Sequence, residues 1–212
     1  MVEEIFSLFG KANFYVNLGN TLLRCLIGFI TAFTLGFAFG ILGGKYKWFH
    51  ACVRPFTAFL KTTPVMALTL LIMVWFKTQN TPVAIGFIMV FPIVYQTVAD
   101  SVATVDKKLL EVAEVYGFSK KEKLRYVYLP EIVPMTFSTA STTFGLSIKA
   151  VISAEILAYA PKSIGVSMYV AKSNIFDGTA RLFAYVIVAV SISALFETLL
   201  TLLKNKICKK YE

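Results

Sequence analysis

The chain has 212 residues, 57% of them hydrophobic and only 16% charged, with a mean hydropathy of +0.71. A soluble domain carries about a quarter charged residues, so this composition argues against an ordinary soluble enzyme and predicts an all-α membrane protein. The formal charge of +9 is spread between and beside apolar runs rather than gathered with stacking aromatics, which sets nucleic acid aside as a partner.

Five hydrophobic segments approach the roughly 20 residues a helix needs to cross a bilayer. The first, residues 20–44, carries Gly28, Gly36, Gly40 and Gly43, small residues that allow close helix approach. Arg24 near its start is expected to extend toward the outer headgroups. The second, 54–76, is interrupted by Lys61 and Pro64. The third, 81–103, contains Pro82 and Pro92. The fourth, 132–157, holds Lys149 and Glu155, and the fifth, 181–203, holds Glu197, expected at the inner interface. Backbone groups freed by the prolines require neighbouring helices, so the spans form one packed domain over residues 1–212.

Lys and Arg concentrate after spans one and three and beyond span five, which predicts an external N-terminus and an internal C-terminus. Glu3 and Glu4 replace a basic n-region, so a cleavable leader is not expected. Three widely spaced cysteines (Cys25, Cys52, Cys208) suggest free thiols rather than disulfides or a zinc site.

Residues 104–130 form the longest polar break. Val105, Leu109, Val112, Ala113 and Tyr116 recur at helical spacing, with Lys107, Glu111 and Glu114 on another face. Gly117 stands where a helix needs a left-handed terminating residue. Ser119 to Glu122 reads as a capping box opening a second short helix through Leu129, which Pro130 ends or returns to the membrane. The charge asymmetry puts this helix-Gly-helix elbow inside. An amphipathic connector resting on the inner leaflet is the competing reading.

The order Glu111-Val112-Ala113, Gly117, Val127, Leu129-Pro130 resembles the cytoplasmic EAA loop of ATP-binding-cassette (ABC) importer permeases, with Val112 replacing the motif's second residue. Thr21-Leu22-Leu23-Arg24, Pro64-Val65-Met66-Ala67-Leu68 and Ala154-Glu155 with Ser163-Ile164-Gly165 are similar to the nitrate, sulfonate and taurine branch, which includes permeases for thiamine precursors. The chain departs from that pattern at Thr69, Lys77 and Ser163, and lacks an N-terminal span that many relatives carry. The resemblance implies a type I importer permease bundle and a coupling helix (Glu111, Ala113, Glu114, Gly117, Leu129, Pro130) that docks on a separate ATPase subunit. It also implies two ATPase copies, an extracytoplasmic solute-binding protein, a homodimer in the inner membrane, and a small anion or heterocycle as cargo. ATP-Mg is used by the ATPase, and this chain binds no cofactor.

Ionisable groups inside spans are functional candidates by default. Lys149 either lines a path for an anion or pairs with an acid on another span. Glu155 either meets solute near the external end or is a structural carboxylate held by donors from a neighbouring helix. Pro64, with Thr62 and Thr63, marks a broken helix facing the pathway or a packing kink. Ser138, Thr139, Ser141, Thr142, Thr143 and Ser147 give span four a polar face, read as a hydrated conduit in preference to interhelical hydrogen bonding. No catalytic or metal-binding residues are expected: there is one histidine, His50, and neither an HExxH motif nor a GxxxxGK[ST] phosphate loop. The alternatives are an ion-coupled secondary transporter and a purely structural membrane subunit.

Overall fold

The computed structural model describes residues 7–174 and 178–208. Glu3, Glu4, Lys209, Lys210 and the side chain of Cys208 lie outside the described residues. Cys25 is free and buried, and Cys52 is free and exposed. In chain order the helices are α1 (Ala12–Lys45), α2 (Lys47–Thr62), α3 (Val65–Met73), α4 (Thr81–Ala103), α5 (Lys107–Val115) and α6 (Lys120–Lys123). A π-helical segment, Leu124–Tyr128, leads into α7 (Leu129–Ala158), followed by α8 (Ile164–Ser173) and α9 (Gly178–Cys208). Among the described residues four helices are long and apolar enough to cross a membrane, and the α2–α3 pair, bent by 104°, is a fifth apolar segment with the form of a broken span or a re-entrant loop.

Packing starts at α1. Gly28, Ala32, Gly36 and Gly40 recur every fourth residue and are buried, so one helix face is almost bare backbone. Against it α4 sets Val90, Phe91, Val94 and Val98. A Cβ added to Gly40 would stand 2.6 Å from the Val98 Cβ, and one on Gly28 would meet the Val83 carbonyl at 2.8 Å. Lipid tails are as apolar as these side chains, so close van der Waals approach must hold the two helices together. The central helix is α7, which contacts α1, α3, α4, α8 and α9.

Two sequence expectations change, and one alternative is selected. Residues 54–76 break at Pro64, as the broken-helix reading has it: α2 ends at Thr62, Thr63 and Pro64 are extended, and α3 sets off at the new angle. Pro64 cannot donate to Leu60, and the residue before a proline avoids helical angles. Pro130 does not end a helix, because Lys120–Ala158 runs continuously through it. The π segment just before Pro130 shifts the hydrogen-bond register where its missing N–H would otherwise leave a gap. Finally, α8 occupies what the sequence gives only as a long connection. Its signal is short: Ser163 caps it by accepting from the Val166 N–H, and Ile164, Met168 and Ala171 are its buried face.

Gly40→Leu is expected to overpack the α1–α4 seam by about 1–3 kcal/mol and to lower the melting temperature of the detergent-purified chain. A Cβ at Gly19 meets nothing within 4 Å, so Gly19→Ala is expected to leave the melting temperature unchanged or raise it. Equal shifts for the two variants would contradict this account of the seam.

Candidate functional site

The elbow is built by its terminating residues. Asp106 caps α5 by accepting from the Lys108 N–H at 2.8 Å. At the other end Gly117 takes φ +70°. The Phe118 N–H then reaches the Ala113 carbonyl at 2.8 Å and the Gly117 N–H reaches Glu114 at 2.9 Å, which together close a Schellman turn. Ser119 and Glu122 form a reciprocal capping box that opens α6. Lys123 Nζ donates to Glu114 Oε1 at 2.7 Å and ties α6 back to α5. That hydrogen bond, helped by the Lys123 charge, holds the Glu114 carboxyl below its ordinary range. The Ser119 hydroxyl and N–H do the same for Glu122.

Of the coupling candidates, Ala113 is buried inside the elbow and Glu111 is exposed. Leu129 and Pro130 belong to α7 rather than to the exposed tip. The tip itself is apolar: Val115 is 86% exposed and Tyr116 77%, with Leu109 and Val112 half-exposed beside them. Val115 was not among the candidates, although its position one residue from Tyr116, just before the terminating glycine, could have marked it.

At the opposite end of α7, Glu155 is fully buried, held by donors from neighbouring elements as its structural reading expects. Arg24 Nη1 donates to its Oε1 at 2.9 Å. The Thr21 hydroxyl lies 2.9 and 3.0 Å from the two carboxylate oxygens. The Gly165 N–H donates to Oε2 at 3.2 Å. One carboxylate therefore joins α1, α7 and the N-terminus of α8, where charge-assisted hydrogen bonds are strongest. Arg24 does not extend to headgroups, since a buried carboxylate within reach is the better partner. Its second nitrogen donates to the Pro161 carbonyl at 2.9 Å. This fixes a tight α7–α8 connection in which Tyr159 and Lys162 take left-handed angles of φ 53° and 51°.

The polar face of α7 divides. Ser141, Thr143 and Ser147 are buried; Ser141 and Thr143 donate to backbone carbonyls one turn back, and Ser147 accepts from the Cys25 thiol. Thr139 pairs with Thr97 of α4 at 3.3 Å. Thr139, Ser141 and Ser147 use their hydroxyls in hydrogen bonds within the bundle, and Thr143 does so at the edge of a groove. Thr142 and Lys149 instead line an open groove of about 370 Å³ with Ile93 of α4, Thr143, Gly145 and Leu146 of α7, and Glu197 of α9. Ser138 lies two turns before Leu146, where it accepts from Lys204 Nζ at 3.2 Å. Glu197, expected at the inner interface, is exposed and lines this groove. Pro64 sits exposed at the α2–α3 bend, outside the residues that line the groove.

Several helices long and apolar enough to cross a membrane, an open groove edged by Lys149 and Glu197 and an apolar-tipped elbow together fit an integral membrane permease. The sequence match to the family described as "binding-protein-dependent transport system inner membrane component" covers residues 32–209, and the chain belongs to that family, the permeases of ABC importers. It is 28% identical over 193 residues to the putative aliphatic sulfonates transport permease protein SsuC of Bacillus subtilis, covering 89% of this chain and 68% of the relative. It is 34% identical over 140 residues to the bicarbonate transport system permease protein CmpB of Synechococcus elongatus, covering 65% of this chain and half of that relative's length. A chain of the MetNI methionine ABC transporter, solved in inward-facing conformations, superposes with a TM-score of 0.72 at 14% identity, over 92% of this chain and 94% of that one. That likeness establishes the fold as an ABC importer permease bundle.

Breaking the Glu155 cluster is expected to be asymmetric. Arg24→Met leaves the fully buried carboxylate without its counter-ion and is expected to cost about 3 kcal/mol. Glu155→Gln keeps an acceptor for the Thr21 and Gly165 donors, and the guanidinium left behind is at the rim, with 13% of its side chain exposed. It is therefore expected to cost less. Thermal unfolding of both variants in detergent tests the order, and a larger loss from Glu155→Gln would reverse the assignment of the buried partner.

Proposed function

We propose that this chain is the membrane subunit of an ATP-driven importer, with the elbow as the part that a separate ATPase grips. The observation that carries the reading is the apolar tip formed by Leu109, Val112, Val115 and Tyr116, held rigid by the Schellman turn and the capping box. A lipid-resting connector would need no such stiffening, whereas a part that transmits displacement does. Family membership supports an ATPase partner and a solute-binding protein on the opposite side.

In this reading two copies of the chain form the pathway and two ATPases bind their elbows, using ATP-Mg that the permease itself does not bind. Lys and Arg are enriched after spans one and three and beyond span five, which supports an internal elbow and C-terminus and an external N-terminus. ATP binding closes the ATPase pair and draws the two elbows together. The bundles then rock outward to receive cargo, because the closed ATPase dimer has higher affinity for that state. Thr142, Lys149 and Ser138 face the pathway, and the α2–α3 bend at Pro64 is its flank. Sulfonate and bicarbonate permeases among the relatives support a small anion or an anionic heterocycle as cargo.

Tyr116→Ala combined with Val112→Ser is expected to reduce co-purification of the ATPase and ATP-driven uptake by at least about tenfold, the worth of two buried apolar contacts. Gly117→Pro, which cannot adopt φ +70°, is expected to abolish both while leaving the chain inserted in the membrane. Normal ATPase assembly and normal uptake by Gly117→Pro would refute the coupling role.

A further inference from the structure

The end of the bundle opposite the elbow holds a second space, of about 240 Å³, between the starts of α1 and α9 and one face of α8. It shares no residue with the α4–α7–α9 groove and is far larger than one water needs. Its polar lining includes Asn17, Lys162, Ser167, Asn174, Arg181 and Tyr185, and no Asp or Glu is among the lining residues. Asn17 already donates to Ser167 Oγ at 2.9 Å, which braces α1 to α8 beside the pocket. Arg181 has its own partner within the chain and is not required as a ligand.

Two of these side chains are placed by the fold. Lys162 stands in the α7–α8 connection at a left-handed φ of 51°, next to Pro161, whose carbonyl accepts from Arg24. Its backbone position therefore follows from the Glu155 cluster. Tyr185 is only 9% exposed, with its ring 6.3 Å from that of Phe14. Its hydroxyl forms no hydrogen bond to another described residue, yet among the described residues no fully buried side-chain oxygen or nitrogen lacks a partner. The hydroxyl is therefore not sealed in, and it opens on the space that Tyr185 lines. A lysine with no ion pair among the described residues and an unpaired phenol, with no carboxylate beside them, select an anion. Depth and edge chemistry say which kind. Neither α9 from Leu182 to Phe196 nor α1 from Cys25 to Gly44 carries a charge, so the pocket stands above two apolar runs, at headgroup level. Exposed Tyr15, Tyr159 and Tyr169 mark the same end, as tyrosines do at a bilayer interface. Val166 and exposed Val170 give the lining an apolar edge, which a free ion cannot use and an esterified phosphate can.

We propose that this pocket binds the phosphate group of a phospholipid in the leaflet opposite the elbow, with Lys162 as its counter-ion, the Tyr185 hydroxyl as a donor, and the lipid's glycerol and chains leaving past Val166 and Val170. The bound lipid links the head of α8 to α9, two elements that the Glu155 cluster does not itself join. The site goes beyond the transport reading and requires only that the chain lies in a bilayer.

The full chain in mild detergent is titrated with dimyristoylphosphatidylglycerol, with dimyristoylglycerol (the same chains without the phosphate) and with inorganic phosphate, and bound adducts are read by native mass spectrometry. Phosphatidylglycerol is expected to bind saturably, with dimyristoylglycerol weaker by at least about tenfold, the worth of one hydrogen bond to a charged group. Equimolar inorganic phosphate is expected not to displace the lipid. Tyr185→Phe, which keeps the ring and removes only the hydroxyl, and Lys162→Gln are each expected to weaken lipid binding by about tenfold. Lys172→Gln, at a cation of α8 outside the lining, is expected to leave it unchanged. Equal melting temperatures for these variants in lipid-free detergent are expected, which separates loss of lipid from loss of fold. The proposal is overturned if the two lipids bind alike, if Tyr185→Phe or Lys162→Gln retains the lipid as the unaltered chain does, or if Lys172→Gln loses as much. Displacement by equimolar inorganic phosphate overturns it as well, because the occupant is then the free ion.

Discussion

The buried carboxylate of Glu155 is the constraint that organises one end of this bundle. In the low-dielectric interior it needs several donors at once, and it obtains them from three chain segments: the Arg24 and Thr21 side chains on α1 and the Gly165 N–H at the start of α8. Such a carboxylate contributes little net stability compared with apolar packing, because desolvation offsets most of the attraction. What it supplies is register. Sliding α1 along α7 by one turn would strand the carboxylate, whereas the glycine face of α1, repeating every fourth residue, would tolerate the slide far better. The two contacts are therefore complementary, with the glycine seam setting the α1–α4 distance and the Glu155 cluster setting the axial position of α1.

The same logic accounts for what was legible in the sequence. Features governed by local chemistry could be read directly. The span 81–103 is found to the residue, because Pro82 suits a first helical turn and a polar Thr104 follows Ala103. The elbow was legible through Gly117 and the Ser119–Glu122 box, both of which act within a few residues. Features set by partners distant in sequence were not. Arg24 and Glu155 are 131 residues apart, and nothing near Arg24 distinguishes a headgroup anchor from a buried ion-pair member. The inner end of α9 could be placed from its own residues, but that Glu197 shares a groove with Lys149 depends on how α9 packs against α7. The hydroxyls of α7 show the same limit: composition revealed a polar face, but only the positions of α1, α4 and α9 decide that Ser141 and Ser147 pack inward while Thr142 and Thr143 edge the groove.

The elbow and the groove both lie along one helix. From Lys120 to Ala158 the backbone is continuous for 39 residues, about 58 Å at the usual rise. The elbow stands at its start, Lys149 lies roughly 44 Å along it, and Glu155 clamps its far end. In the proposed mechanism, a displacement applied to the elbow is carried by this helix as a lever, with the Glu155 cluster as the better-anchored end. The groove lies between the two, so a tilt of α7 about that anchor changes the spacing between Lys149 on α7 and Glu197 on α9 without breaking any hydrogen bond of the anchor.

The π-helical segment Leu124–Tyr128 bears on whether such a lever transmits or absorbs motion. Its wider hydrogen-bond register is poorer than that of an α-helix, and it lies where Pro130 has already removed a donor, so it is the most compliant stretch between elbow and groove. Compliance here would weaken coupling if the elbow were held only by this segment. It is not, because the Lys123–Glu114 contact and the Schellman turn make α5, α6 and the turn between them one rigid unit. The compliant stretch then lies beyond the elbow, in the π segment and at Pro134, the interior proline of α7. In the proposed mechanism, compliance so placed lets the elbow keep one orientation on an ATPase while α7 tilts, and a rocking membrane helix attached to a fixed docking surface requires that freedom.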